Sequence, residues 1–118
     1  MKDCRPVIMP QHMVDQGTID EAARILLSTA PAGSEVILFG SHARGDARDS
    51  SDVDFLVVEP MVLQRRSETV RLRGALRPLG IPVDVLVLSR RAFEAWRDQP
   101  NTVVYEAARE GKVYRHAA

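Results

Sequence analysis

The sequence predicts a small α/β (α+β) domain, a mixed open sheet of few strands with helices packed mainly on one face. Three observations carry that expectation. Short apolar runs at residues 35–39, 52–59 and 83–88 have strand length and composition, bounded by Gly, Ser or Pro. The segments around them repeat apolar residues at helical spacing, giving the order α-β-loop-β-α-β-α-α. A chain of 118 residues allows a single core, since domains cluster at roughly 100–150 residues.

The elements follow in order. Residues 1–17 are polar, carry Pro6 and Pro10, and read as an arm, leaving 18–118 as the domain. Thr18-Ile-Asp-Glu21 fits a capping box, and Ile19, Ala22, Ala23, Leu26, Leu27 and Ala30 form one apolar stripe behind it. Pro31 and Gly33 end that helix. After the first strand, residues 40–51 form a loop with room for one short helix. Residues 52–59 alternate Asp52 and Asp54 with Val53, Phe55 and Val57, a strand that Pro60 stops. Residues 64–79 read as a helix closed by Gly80 and Pro82, and residues 83–88 as a third strand interrupted by Asp84. Ser89 caps a helix containing Phe93 and Trp96 that ends near Pro100. A last helix runs from about Thr102 to Glu110, with Gly111 as its left-handed terminator. Val113 and Tyr114 either add an edge strand or pack back.

Composition excludes several classes. Sixteen Lys+Arg balance 16 Asp+Glu, which argues against a dedicated polyanion binder, so no direct nucleic-acid partner is expected. One cysteine, Cys4, rules out an internal disulfide framework and a Cys-rich zinc site. Nothing approaches the roughly 20 apolar residues of a membrane span, and residues 1–10 lack a signal-peptide core. The expectation is a cytoplasmic domain with no membrane partner.

The informative stretch is Gly40–Asp54. Gly40 lets backbone approach a ligand closely, and the amides after it, with the Ser41 hydroxyl, can hold phosphate oxygens. Asp52 and Asp54 lie two residues apart on a strand, so their side chains share a face with Cα atoms roughly 7 Å apart. Carboxylates so placed repel unless a cation neutralises them, and Mg²⁺, a hard ion taking one or two carboxylates plus substrate phosphates, suits the pair. Asp84 supplies a third acid in an otherwise apolar run, where a buried unpaired carboxylate would be costly. Three such acids could complete a two-metal site and help deprotonate an acceptor hydroxyl.

Gly40-Ser41, ten residues, then Asp52-x-Asp54 resembles the signature of the DNA polymerase β-like nucleotidyltransferase superfamily. The string GSHARGDARDSSDVDFLVV (40–58), the later VDVLVL with Asp84, and EAAREGKVY (106–114) resemble its minimal nucleotidyltransferase branch. The resemblance spans roughly residues 18–114. It implies that Gly40 and Ser41 bind the triphosphate of ATP, that Asp52 and Asp54 hold two Mg²⁺ ions, and that Asp84 holds the catalytic one near the acceptor. Arg44 would be either a cationic helper at the phosphates or a strut within its loop. His42 would line the site, and Asp49 stands where the family often has proline. Members of this branch are typically paired with a helical HEPN-type toxin, which implies AMP transfer to a toxin tyrosine and an antitoxin role. Transfer to a small molecule or RNA end, a homo-oligomer that completes its own acceptor cleft, and a non-catalytic antitoxin are the alternatives.

The remaining residues are less specific. Residues 64–77 carry Arg65, Arg66, Arg71, Arg73 and Arg77 against Glu68, either a solvated face or a docking surface. Phe93, Trp96, Tyr105 and Tyr114 read as packing residues. His12 and His116 sit in loose terminal segments without metal-ligand spacing, and Cys4 has no visible activator.

Overall fold

Glu35–Phe39 forms β1, the strand around which the sheet assembles. The computed structural model describes residues 14–48 and 51–116; Cys4, His12, Asp49 and most of the expected arm lie outside them. Helix α1 (Gln16–Thr29) precedes β1. After it come α2 (Ser41–Arg44), β2 (Val53–Glu59), α3 (Arg65–Ala75), a 3₁₀ turn (Arg77–Leu79), β3 (Val83–Ser89), α4 (Arg90–Trp96), α5 (Val103–Glu110) and β4 (Lys112–Arg115). The strand order is β3-β2-β1-β4. β1 is antiparallel to β2 and β4, and β2 is parallel to β3, so the sheet is mixed and open. The parallel pair requires a crossover, which α3 provides.

Alternation along the strands builds two cores. Val36, Leu38, Phe55, Val57, Val85 and Val87 face α1 and α3, meeting Leu26 and Leu72. Ile37, Leu56, Val58 and Leu88 face the shorter α4 and α5, meeting Phe93, Val104 and Ala107. The larger core therefore lies on one face, as expected, while a smaller one covers part of the other. Among the described helices none is long and apolar enough to cross a membrane.

Several details differ from the sequence expectation. Helix α1 opens three residues earlier than the Thr18 cap, because the Asp15 carboxylate accepts the Thr18 N–H at 2.7 Å. Glu21 then pairs with Arg24 at 3.0 Å instead of reaching back. Helix α3 stops at Ala75, and Pro78 continues it only as a 3₁₀ turn because proline has no N–H to donate. Val113 and Tyr114 do form an edge strand. Gly111 is extended, with φ −79°, not left-handed. Glycine is needed there for space, since a Cβ would meet Ile37 Cγ2 and the Ala107 carbonyl oxygen. Trp96 is 52 % exposed, one turn beyond the buried Phe93. His116 is tied down, its Nε2–H donating to the Leu27 carbonyl at 3.1 Å.

The far end of β2 holds a buried acid. Glu59 is only 2 % exposed and faces Glu68 on α3, which Arg71 clamps at 2.6 Å. Burial, reinforced by hydrogen bonding and repulsion from Glu68, pushes the Glu59 carboxyl up to about 8. Glu59 therefore stays protonated at neutral pH and lends its proton to Glu68, whose own carboxyl is held low by Arg71. An acid raised in the folded state loses stability as pH climbs from the ordinary carboxylate range through that raised value. Glu59→Gln, which mimics the protonated form, should match wild type near pH 4 and exceed its thermal midpoint by several degrees above about pH 8, measured by circular dichroism melts across pH. Equal midpoints at both ends would contradict this charge assignment.

Candidate active site

Register brings the acids together. Phe39 pairs with Asp54 across β1–β2, and Asp54 pairs with Asp84 across β2–β3. The Asp54 and Asp84 Cα atoms are thus one strand spacing apart, roughly 4.8 Å, with side chains on the face that α4 and α5 cover further along. Pairing also sets the end of the sheet: β1 finishes where the parallel β2 and β3 begin.

Gly40 follows β1 at that end with φ 78° and ψ −156°, a conformation that favours glycine. A Cβ on Gly40 would strike Asp54 Oδ2, so the position excludes side chains twice over. The turn releases the chain into α2, which Gly45 ends at φ 85°. The N–H groups of Ser41 and His42 open this turn and have no carbonyl within it to bond.

An open cavity of about 600 Å³ is lined by Gly40, Ser41, Arg44, Asp54, Asp84 and Glu106. Asp52 is exposed and lines a neighbouring cavity under α3 instead. Asp84 is also exposed, on the outer strand of the sheet, as one of the two readings of its place in an apolar run allows. Arg44 is a strut where it stands: Nη1 donates to Glu106 Oε2 at 2.8 Å and Nε to Asp46 at 3.3 Å, fastening α2 to α5. His42 Nε2–H donates to the Ser51 carbonyl at 3.3 Å and fastens α2 to the start of β2.

Glu106 escaped the sequence reading. It lies 52 residues beyond Asp54 and opens the string EAAREGKVY that carries part of the family resemblance, but its place in the site depends on Arg44, 62 residues away. Burial, then the charges of Asp84, Asp52 and Glu106, pushes the Asp54 carboxyl above the ordinary aspartate range, with His42 pulling it back.

This donor set fits a hard cation. The converging ligands are carboxylates, and Asp54 is crowded by like charge that a cation would relieve. Among the described residues no three Asp, Glu, His or Cys side chains gather into a metal cage. Asp54 and Asp84 supply a pair, the number that suits Mg²⁺ held jointly with substrate phosphates.

The nucleotidyltransferase domain profile matches residues 19–107. This chain belongs to the nucleotidyltransferase domain family. No curated protein sequence matches it significantly. Among solved structures, a Sulfolobus solfataricus protein assigned as a nucleotidyltransferase shares 24 % identity, covering 83 % of this chain and 77 % of that one, with a TM-score of 0.56. A chain of a toxin–antitoxin complex with AMP-PNP shares 20 % identity over 87 % of this chain and 75 % of that one, TM-score 0.53. A chain from the complex of tri-AMPylated Shewanella oneidensis HEPN toxin with MNT antitoxin shares 20 % identity over 86 % and 72 %, TM-score 0.50. At these identities the likeness is one of fold. The nucleotidyltransferase family uses nucleoside triphosphates and a divalent metal, which agrees with an open cavity of about 600 Å³ that two carboxylates line.

If Asp54 is held against its neighbours' charge, removing its charge should stabilise the ligand-free nucleotidyltransferase. Asp54→Asn should raise the thermal midpoint at pH 7 by roughly 2–5 °C, read by differential scanning calorimetry in EDTA. A lower midpoint would mean that the carboxylate is favourably paired.

Proposed function

We propose that this nucleotidyltransferase transfers AMP from ATP to a tyrosine hydroxyl of a helical HEPN-type toxin and serves as that toxin's antitoxin. The observation that carries the chemistry is the Asp54–Asp84 pair in register beside the Gly40–Ser41 turn. The partner is supported by fold neighbours that occur in toxin–antitoxin complexes, one of them with an AMPylated HEPN toxin.

In this reading the Ser41 hydroxyl and the amides of Ser41 and His42 hold the β- and γ-phosphates, and Gly40 keeps that approach clear. Asp52, Asp54 and Asp84 are the catalytic and metal-binding acids, with Asp52 swinging toward the pair from its exposed position. Mg²⁺, when bound there, supplies charge neutralisation at the phosphates. Asp84, at the open edge, meets the acceptor hydroxyl and takes its proton. The acceptor oxygen attacks the α-phosphorus, the bond to the β-phosphate oxygen breaks, and pyrophosphate leaves. Arg44 and Glu106 fix α2 against α5 so that the phosphate amides stay in place. Positioning and charge compensation supply most of the acceleration in transfers of this type.

The test is incubation with α-labelled ATP, Mg²⁺ and the helical protein encoded beside this chain. Label should appear on a partner tyrosine, and Asp52→Asn with Asp54→Asn should lower its rate by more than about 100-fold. Transfer undiminished in the double variant, or toxin neutralisation by that variant equal to wild type, would contradict the catalytic reading.

A further inference from the structure

Beside the candidate site lies a second open cavity of about 570 Å³, with Asp52 on its rim, between α3, the 3₁₀ turn and the start of β3. Arg73, near the end of α3, and Arg77, at the start of the 3₁₀ turn, stand on its wall four residues apart. Both are exposed, and among the described residues neither has an ion-pair partner, whereas Arg71 on the same helix is held by Glu68. Between the two guanidinium groups and β3 the lining is aliphatic: Val70, 66 % exposed, with Ile81 and Pro82. Two unpartnered cations beside an exposed apolar floor describe a recess for carboxylates that flank an apolar side chain.

We propose that this cavity docks an acidic, helical segment of the acceptor protein, with carboxylates on Arg73 and Arg77 and an apolar residue against Val70. The inference rests on the protein-acceptor reading above and deepens it. Charge complementarity selects the occupant. A nucleic-acid strand fits less well, because no aromatic residue lines the cavity for base stacking. Asp52 and Val83 line this cavity and Asp84 lines the site cavity, so a segment docked here lies beside the acid proposed to meet the acceptor hydroxyl. Docking also explains how a nucleotidyltransferase domain without a separate acceptor-binding domain in the described residues can select its substrate.

The experiment measures binding of the helical partner by biolayer interferometry to wild type, R73E/R77E and R65E/R66E. The last carries the same charge change at the start of α3, outside the cavity. R73E/R77E should weaken binding at least tenfold, keep the wild-type melting midpoint and keep the midpoint rise produced by Mg²⁺ with AMP-PNP. R65E/R66E should bind within twofold of wild type. Binding by R73E/R77E within twofold of wild type overturns the docking site, as does an equal loss in R65E/R66E or displacement of the partner by a single-stranded oligoribonucleotide. Label transfer from ATP is read in parallel. Full transfer by R73E/R77E removes the docking site and leaves the transferase reading intact. Absent transfer by wild type, with binding lost only in R73E/R77E, removes the transferase reading and leaves the docking site.

Discussion

A half-buried carboxylate crowded by other carboxylates is the constraint on which this structure turns. Asp54 is pinned between the glycine turn at the end of β1 and the register-matched Asp84 of β3, and both neighbours are consequences of strand pairing. Gly40 has to be glycine because of Asp54 as much as because of its own backbone angle. The one nearby cation among the cavity residues, Arg44, is already held by Glu106 and Asp46. The charge on Asp54 is therefore left for something that arrives from solution.

The two ends of β2 solve the same problem differently. Glu59, at the far end, is buried more deeply, yet it is neutralised inside the fold by sharing a proton with Glu68 under the clamp of Arg71. Asp54 has no such arrangement. An enzyme that must bind a cation and a polyphosphate gains from an end of the sheet that stays electrostatically incomplete, while the buried acid at the opposite end is neutralised by a proton, at a cost in stability as pH rises. The helices follow suit: α4 and α5 cover the distal part of the site-bearing face and stop short of Asp84.

Much of this was legible in the sequence, and the reasons are local. Strand alternation and the spacing from Gly40-Ser41 to Asp52 and Asp54 depend on neighbours within fifteen residues, so β1, β2, β3 and the glycine turn could be read directly. The family resemblance named from those residues agrees with the domain match over residues 19–107. What failed to show was long-range. The Arg44–Glu106 tie joins residues 62 apart. The Gly111 error has the same origin, because its crowding comes from Ile37 across the sheet. Caps compete locally, and Asp15 displaced Thr18 simply by standing three residues ahead of it.

The central claim is that the site's carboxylates make nucleotide binding conditional on a cation. Thermal midpoints with ATP in EDTA, with Mg²⁺ alone and with both together test it directly. ATP in EDTA should leave the midpoint unchanged or lower it, Mg²⁺ alone should raise it slightly, and the two together should raise it by more than the sum of their separate effects. An equal rise with ATP in EDTA would contradict the account, because the acids around Asp54 would then be no obstacle to a polyphosphate.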